Sequence, residues 1–142
     1  MASTLKINTL TGVTTAGSIA VTGEGNNSTT TNLQQGLCKA WCVFAGSSFT
    51  TTLDTFNTSG GTDNGTGDYT ITITNDMASV NYATMTSKDD GTTNNWSMPN
   101  ENNARTKATG SYHVMSTYGG TSTNNTKYDA VRFYSALMGD LA

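Results

Sequence analysis

From Tyr69 to Thr74 apolar and polar positions exchange at every residue: Tyr69, Ile71 and Ile73 fall on one side, Thr70, Thr72 and Thr74 on the other. A period of two is the mark of a half-buried β-strand, and the turn residues Asn64-Gly65-Thr66-Gly67 just before it make this strand the second arm of a hairpin. The densest apolar run, Leu37-Cys38-Lys39-Ala40-Trp41-Cys42-Val43-Phe44, behaves differently. It has apolar or small residues on both faces, with Leu37, Trp41 and Val43 on one and Cys38, Ala40, Cys42 and Phe44 on the other, as in a strand covered on two sides. In so small a chain, a neighbouring subunit is a natural cover for one of those faces. Further strands are expected at Leu53 to Thr58, around Val80 to Thr86, at Ser111 to Tyr118 and at Tyr128 to Leu137, where Val131, Phe133 and Leu137 share a face. Ser59-Gly60-Gly61 reads as a turn.

Ahead of these lie two short alternating pieces, Leu5 to Leu10 and Ser18 to Thr22, expected to be brief strands. Their apolar content is too small for a core of their own, so such an arm gains stability by packing against something else. The polar run Asn26 to Asn32 contains no apolar residue and is the best boundary in the chain. The expected division is therefore residues 1–32 as arm and linker and residues 33–142 as one domain. Asn32 to Gln35 also fits a capping box, which permits a helical turn before Gly36 interrupts it.

Composition strengthens the β reading. Charged residues make up 12% of the 142 residues, about half the roughly 25% usual in soluble domains, and Thr, Asn, Ser and Gly fill the gap. Thr favours strands, and Thr, Asn and Gly are all poor helix formers, so the expected fold is all-β, a small antiparallel β-sandwich-like domain with an N-terminal β-arm. Six Tyr, four Phe and two Trp argue against a disordered chain. A net charge of -3 offers no footprint for nucleic acid, and no apolar run approaches the roughly 18 residues of a membrane span. The first residues lack the apolar core of a secretion signal, so synthesis and assembly in a cytoplasm are expected. Cys38 and Cys42 on one strand would stand roughly 13 Å apart at ~3.4 Å per residue, beyond the reach of a disulfide, and read as free thiols.

Candidate chemistry is sparse. The chain has two glutamates and eight aspartates, mostly in turn-like contexts. Asp63 to Asp68 has the composition of a calcium loop, but glycines occupy ligand positions and no Glu closes it, so a plain turn is the better reading. Asp89, Asp90 and Glu101 are the carboxylates available for hydrolysis. His113 has no nucleophile elbow to serve, and only three copies meeting on a threefold axis could make it a metal site. No catalytic residue, cofactor or metal is expected. The irregular stretch Ser87 to Gly110 holds Trp96, a candidate platform for a sugar ring, and Tyr112 and Tyr118 are the other aromatics that could stack on a host glycan. Trp96 is equally suited to folding back over the local core.

Three runs carry a resemblance. They are Gln34 to Gly46 with its Lys39-Ala40-Trp41, then Asp54-Thr55-Phe56-Asn57-Thr58-Ser59, then Thr62-Asp63-Asn64-Gly65-Thr66-Gly67-Asp68-Tyr69-Thr70. In that order they resemble a module recurrent in tail-fibre and other virion proteins of marine and cyanobacterial bacteriophages. Thr55 stands where that pattern usually has Ser, and Cys38 and Cys42 stand where small or polar residues are common. The ending Ser135 to Ala142 and the segments Ser3 to Leu10 and Ala16 to Gly23 are similar to parts of such proteins as well; Ser87 to Gly110 matches no common pattern. The resemblance implies a virion structural protein, most often a homotrimer, that meets other virion proteins and contacts a host surface, and it implies no catalytic residues. A tail-fibre-like protein held by its arm is the leading expectation. Capsid decoration, as a head fibre or cement protein, and a carbohydrate-binding module are the alternatives.

Overall fold

The computed structural model describes residues 5–12, 19–22, 30–46, 52–89, 99–101, 104–118 and 126–142. The chain divides into two compact units, Met1–Leu37 and Cys38–Ala142. In the first, β1 (Ala20–Thr22) pairs antiparallel with β2 (Thr30–Asn32), Val21 opposite Thr31. The Leu33 N–H continues this pairing by donating to the Ile19 carbonyl at 2.8 Å. A single helical turn, α1 (Leu33–Gly36), follows and ends at the glycine. Two expectations change here. Leu5 to Leu10 forms no strand, because alternation without a ladder to join or a surface to cover does not hold an extended segment in a sheet. Conversely, Thr30–Asn32 of the polar linker is a strand, as the β-propensity of Thr allows.

The second unit is all-β. Its strands are β3 (Cys38–Ala45), β4 (Thr52–Phe56), β5 (Thr58–Asp63), β6 (Asp68–Ile73), β7 (Ala83–Asp89), β8 (Asn100–Glu101), β9 (Ser111–Met115), β10 (Thr117–Tyr118), β11 (Thr126–Lys127) and β12 (Arg132–Met138). They make two antiparallel four-stranded sheets, β4-β3-β12-β7 and β5-β6-β9-β8, and a small β10-β11 ladder. The core lies between the sheets. Ala40, Cys42 and Phe44 of β3 and Phe133 and Leu137 of β12 meet Tyr69, Ile71 and Ile73 of β6 and Tyr112 and Val114 of β9. The alternation read in β6 thus orients it as expected, with the three apolar residues inward and Thr72 outward. In β3 the Cys38 face turns inward, and Leu37 is exposed. Val131 is 53% exposed, because β12 begins only at Arg132; Ala130 is buried in its place, against Gly46.

The chain passes from the first sheet to the second at Asn57, not at the expected Ser59-Gly60-Gly61 turn, which is part of β5. Asn57 adopts a left-handed φ of 53°, a conformation Asn tolerates better than other non-glycine residues. Its amide nitrogen donates to the Lys39 and Asn75 carbonyls at 2.9 and 3.2 Å, and its Oδ1 accepts both the backbone and side-chain N–H of Asn75 at 2.8 Å. One side chain therefore ties β3 to the segment after β6.

The hairpin turn between β5 and β6 is locked in the same manner. Asp63 Oδ1 accepts the Gly65 N–H at 2.9 Å, the Asn64 N–H donates to the Asp68 carbonyl at 2.8 Å and the Asp68 N–H donates to the Gly65 carbonyl at 2.9 Å. Gly67 has a φ of 62°, and a Cβ there would stand 2.5 Å from the Ser116 carbonyl oxygen. Its N–H donates to Asp129 at 2.7 Å.

Asn57→Ala is expected to lower unfolding free energy by roughly 2–4 kcal/mol, combining left-handed strain with unpaired carbonyls. Asn57→Gly, which relieves the strain but not the lost bonds, should cost about 1 kcal/mol less. Gly67→Ala meets backbone rather than a movable side chain and should cost about 2 kcal/mol or more. Urea unfolding midpoints of the three variants measure all of this.

Candidate functional site

Strand register builds one unusual surface. Trp41 lies opposite Phe56 on one side and Ala136 on the other, and Ala136 lies opposite Met85. Phe56, Trp41, Ala136 and Met85 therefore form a row across all four strands of the first sheet. The next row is Asp54, Val43, Tyr134 and Ser87 by the same pairing. Their neighbours along the two central strands (Cys42 and Phe44 of β3; Phe133, Ser135 and Leu137 of β12) are buried, so alternation together with register puts both rows on the outer face. Phe56 and Met85 are each 53% exposed, and Trp41, Val43, Tyr134 and Ala136 are half-buried. An open groove of about 400 Å³ runs along this face, with Trp41, Val43, Met85 and Tyr134 in its lining.

The outer face of the second sheet is its opposite in character. Thr62, Thr70 and His113 form a row there, as do Gly60, Thr72 and Ser111. Asn64 Nδ2 donates to Thr70 Oγ1 at 2.8 Å, and Thr70 Oγ1 lies 2.9 Å from His113 Nδ1. His113 Nε2 lies 3.1 Å from the Thr106 carbonyl. Facing a carbonyl, Nε2 must carry a proton, which leaves Nδ1 of the neutral ring to accept from Thr70. Both ring nitrogens are thus occupied within the sheet, and His113 is a strut rather than a ligand in waiting.

Of the aromatics nominated for sugar stacking, Tyr112 is fully buried. Its hydroxyl lies 2.5 Å from Ser135 Oγ and 3.7 Å from Cys42 Sγ between the sheets, so neither ring face is open to a ligand. Its inward direction matches the alternation of Ser111, Tyr112, His113 and Val114, which puts Tyr112 on the face of the buried Val114. Tyr118 lies in β10, opposite Thr126. Trp96 and Asp90 lie outside the described residues.

Cys42 and Ser135 complete the buried trio at 3.2 Å. Burial pushes the Cys42 thiol up, against the bonds to Ser135 and Tyr112 that pull the other way; such a thiol is a packing group, not a nucleophile. Both cysteines are free. Cys38, half-buried, donates to the Ala40 carbonyl at 3.1 Å.

Asp68 and Glu101 are engaged in ion pairs. Asp68 is buried between Arg105 Nε at 3.2 Å and Lys127 Nζ at 3.1 Å. Glu101 receives Lys107 Nζ at 2.6 Å, and the same ammonium sits 4.3 Å over the Tyr82 ring. Burial alone would raise the Glu101 carboxyl, but the Lys107 bond and charge win and hold it below its ordinary value. A carboxylate held ionised is unsuited to general-acid work at neutral pH. Among the described residues no group of three or more His, Cys, Asp or Glu is placed to hold a metal ion, and no helix is long and apolar enough to cross a membrane.

Comparison with known proteins finds no matching family model, curated protein or solved structure.

The face that stands out is therefore built from Phe56, Trp41, Val43, Tyr134, Ala136 and Met85. Sequence pattern isolates the Trp41 and Val43 contribution in β3. Its extension was missed because Phe56, Met85 and Tyr134 sit in three other segments and are joined only by register. Alternation within β12, where Tyr134 and Ala136 interleave with Phe133 and Leu137, is the signal that could have found it. Chemically the face can exclude water against another apolar surface, while its polar groups, Asp54 and Ser87, stay at the margins.

Because Glu101 titrates below its unfolded value, its contribution to stability is present above about pH 4.5, the ordinary value, and is lost as pH falls through the lower, folded one. The carboxylate side chain is 45% exposed, so the contribution is a fraction of a kcal/mol after solvent screening. Thermal melts from pH 7 to pH 3 should show a shallower acid limb in Glu101→Gln than in wild type.

Proposed function

We propose that this chain is a bacteriophage virion structural protein, a short, trimeric, tail-fibre-like protein that attaches to the particle by its N-terminal arm and turns its β-sandwich outward toward the host surface. The observation that carries this reading is the state of the arm. Leu5, Ile7 and Leu10 are 79, 51 and 54% exposed, and the β1-β2 hairpin is only three residue pairs long. A segment that displays its largest apolar residues gains stability by docking into something else, and in a virion that something is a neighbouring structural protein.

The sandwich supports the same reading from the other side. The three segments that resemble phage virion proteins all have structural work in it: Trp41 and Phe44 on the two faces of β3, Asn57 at the crossover between sheets, and Asp63 to Tyr69 at the locked hairpin. Residues tied into turns and the core belong to a scaffold, and a scaffold held by an arm is a mechanical part. Assembly then takes place in the host cytoplasm, with the mature protein located in the virion.

The test is incorporation. Phage carrying full-length chain, or a chain lacking residues 1–32, are purified and the protein is sought by immunodetection and in an electron-microscopy map. Full-length chain should appear at a defined position on the tail and the truncated chain should fall to background while remaining folded. Density on the capsid surface instead would make it a head-decorating protein. Truncated chain entering particles as well as full-length chain would overturn the role of the arm.

A further inference from the structure

We propose that the turn between β5 and β6 is a guarded deamidation site, in which Asp63 and the Thr70-His113 pair hold Asn64-Gly65 out of the ring closure to which Asn-Gly is prone. Asn64-Gly65 is the one Asn-Gly pair in the chain. In the closure the Gly65 nitrogen gives up its proton and bonds to Asn64 Cγ, while the Cγ–Nδ2 bond breaks and ammonia leaves. Glycine favours the reaction because no Cβ obstructs the approach of its backbone. Water then opens the succinimide in one of two ways. Breaking the new Cγ–N bond gives aspartate, and breaking the original backbone C–N bond gives isoaspartate, with the chain rerouted through Cγ. Water is the only other reactant.

Neither residue of the pair is easily exchanged. Gly65 has a φ of 122°, in a region that residues with a side chain rarely adopt. Asn64 Nδ2 donates to Thr70 Oγ1 at 2.8 Å, a bond that an ionised aspartate has no proton to make. The turn therefore keeps the labile pair, and its neighbours shield it.

Both reacting groups are held by partners. The Gly65 N–H donates to Asp63 Oδ1 at 2.9 Å, and removing its proton there would set a second negative charge against the carboxylate. The Asn64 amide is pinned from the other end. Thr70 Oγ1 takes its proton and lies 2.9 Å from His113 Nδ1, and His113 Nε2 in turn lies 3.1 Å from the Thr106 carbonyl. Thr70 belongs to β6 and His113 to β9, so the pin is set in the sheet rather than in the turn. The backbone is closed as well, by the Asn64 N–H on the Asp68 carbonyl at 2.8 Å and the Asp68 N–H on the Gly65 carbonyl at 2.9 Å. Bringing Cγ to the Gly65 nitrogen breaks the Asp63 and Thr70 bonds first, so closure waits on local opening of the hairpin. Burial supplies no such guard. Gly65 is exposed and Asn64 half-buried, which leaves the hydrogen bonds to retard the reaction. A carboxylate at position 64 would repel Asp63 beside it and leave Thr70 without its amide donor, loosening the turn as the protein ages. The guard concerns the chain itself and is independent of what the chain attaches to.

The experiment compares deamidation of the full chain, folded and in denaturing urea, at mildly alkaline pH. Peptides containing residue 64 are quantified by mass spectrometry, isoaspartate included, and the peptide containing Asn75 serves as internal standard. Folded wild type should deamidate at Asn64 at least roughly tenfold more slowly than unfolded chain, because two hydrogen bonds must open first. Thr70→Val keeps the β-branched shape without the acceptor and should raise the folded rate about fivefold. Asp63→Ala should raise it by a similar factor, and Thr72→Val, also outward on β6, should leave it unchanged. Far-UV circular dichroism verifies each fold. Equal rates at Asn64 in folded and unfolded wild type, or wild-type rates in both Thr70→Val and Asp63→Ala, would overturn the proposal. So would a rise at Asn64 matched by an equal rise at Asn75, which would report opening of the whole domain. A slower reaction in Asp63→Ala would overturn it too, by making the carboxylate the base that drives closure.

Discussion

Tyr69 is the point on which the sandwich turns. Its ring meets Phe44 and Phe133 of the opposite sheet edge-on, at centroid distances of 5.6 and 6.2 Å, while those two stack on each other at 5.1 Å. Aromatic contacts of this geometry add to the burial that holds sheets together. The hydroxyl lies 2.8 Å from the Gly46 carbonyl and 2.9 Å from Asp129 Oδ1, and Asp129 in turn holds Gly67 in the hairpin turn. Burial and then the Asp129 carboxylate both push the phenol's ionisation upward, so it remains a donor. One residue thereby spans the core, anchors the end of β3 and orients the β5-β6 hairpin.

That anchoring decides where function can reside. The Asp, Asn and Gly residues of the hairpin look like ligand groups in composition, yet each is consumed in shaping the turn or pairing with Arg105 and Lys127. Between the sheets, the polar atoms of the Cys42, Ser135 and Tyr112 trio are similarly committed to one another. Among the described residues, the apolar face of the first sheet and the exposed arm residues are surfaces suited to contact with another apolar surface.

Much of this was legible in the sequence where a pattern is local. The alternation in β6 identified its buried face correctly, and the two apolar faces read in β3 separate as expected, with Ala40, Cys42 and Phe44 inward and Trp41 and Val43 outward. Legibility failed where the answer depended on pairing. Ser59-Gly60-Gly61 has turn composition but lies in an edge strand, because Asn57 makes the crossing first through bonds to residues far along the chain. Tyr112 alternates with Ser111 and His113 and shares a face with Val114, a short local sign of burial that four residues carry only weakly until register with β6 fixes it. The apolar face is the clearest instance: its two rows draw on four segments spread from Asp54 to Ala136, and no window of sequence contains them together.

The low charge of the chain makes that face consequential. Soluble β-proteins commonly keep copies apart by placing lysines on outward positions and on edge strands. In β7, an edge strand of this sheet, the one lysine is Lys88, whose ammonium donates to the Thr117 carbonyl at 3.1 Å and lies 4.1 Å over the Tyr128 ring. Its charge is drawn toward the β10 side rather than displayed on the outer rows, where β7 presents Ala83, Met85, Ser87 and, opposite Arg132, Asp89. Asp54, Asp89 and Arg132 stand at the margins of this face, which leaves the row of Phe56, Trp41, Ala136 and Met85 apolar across all four strands.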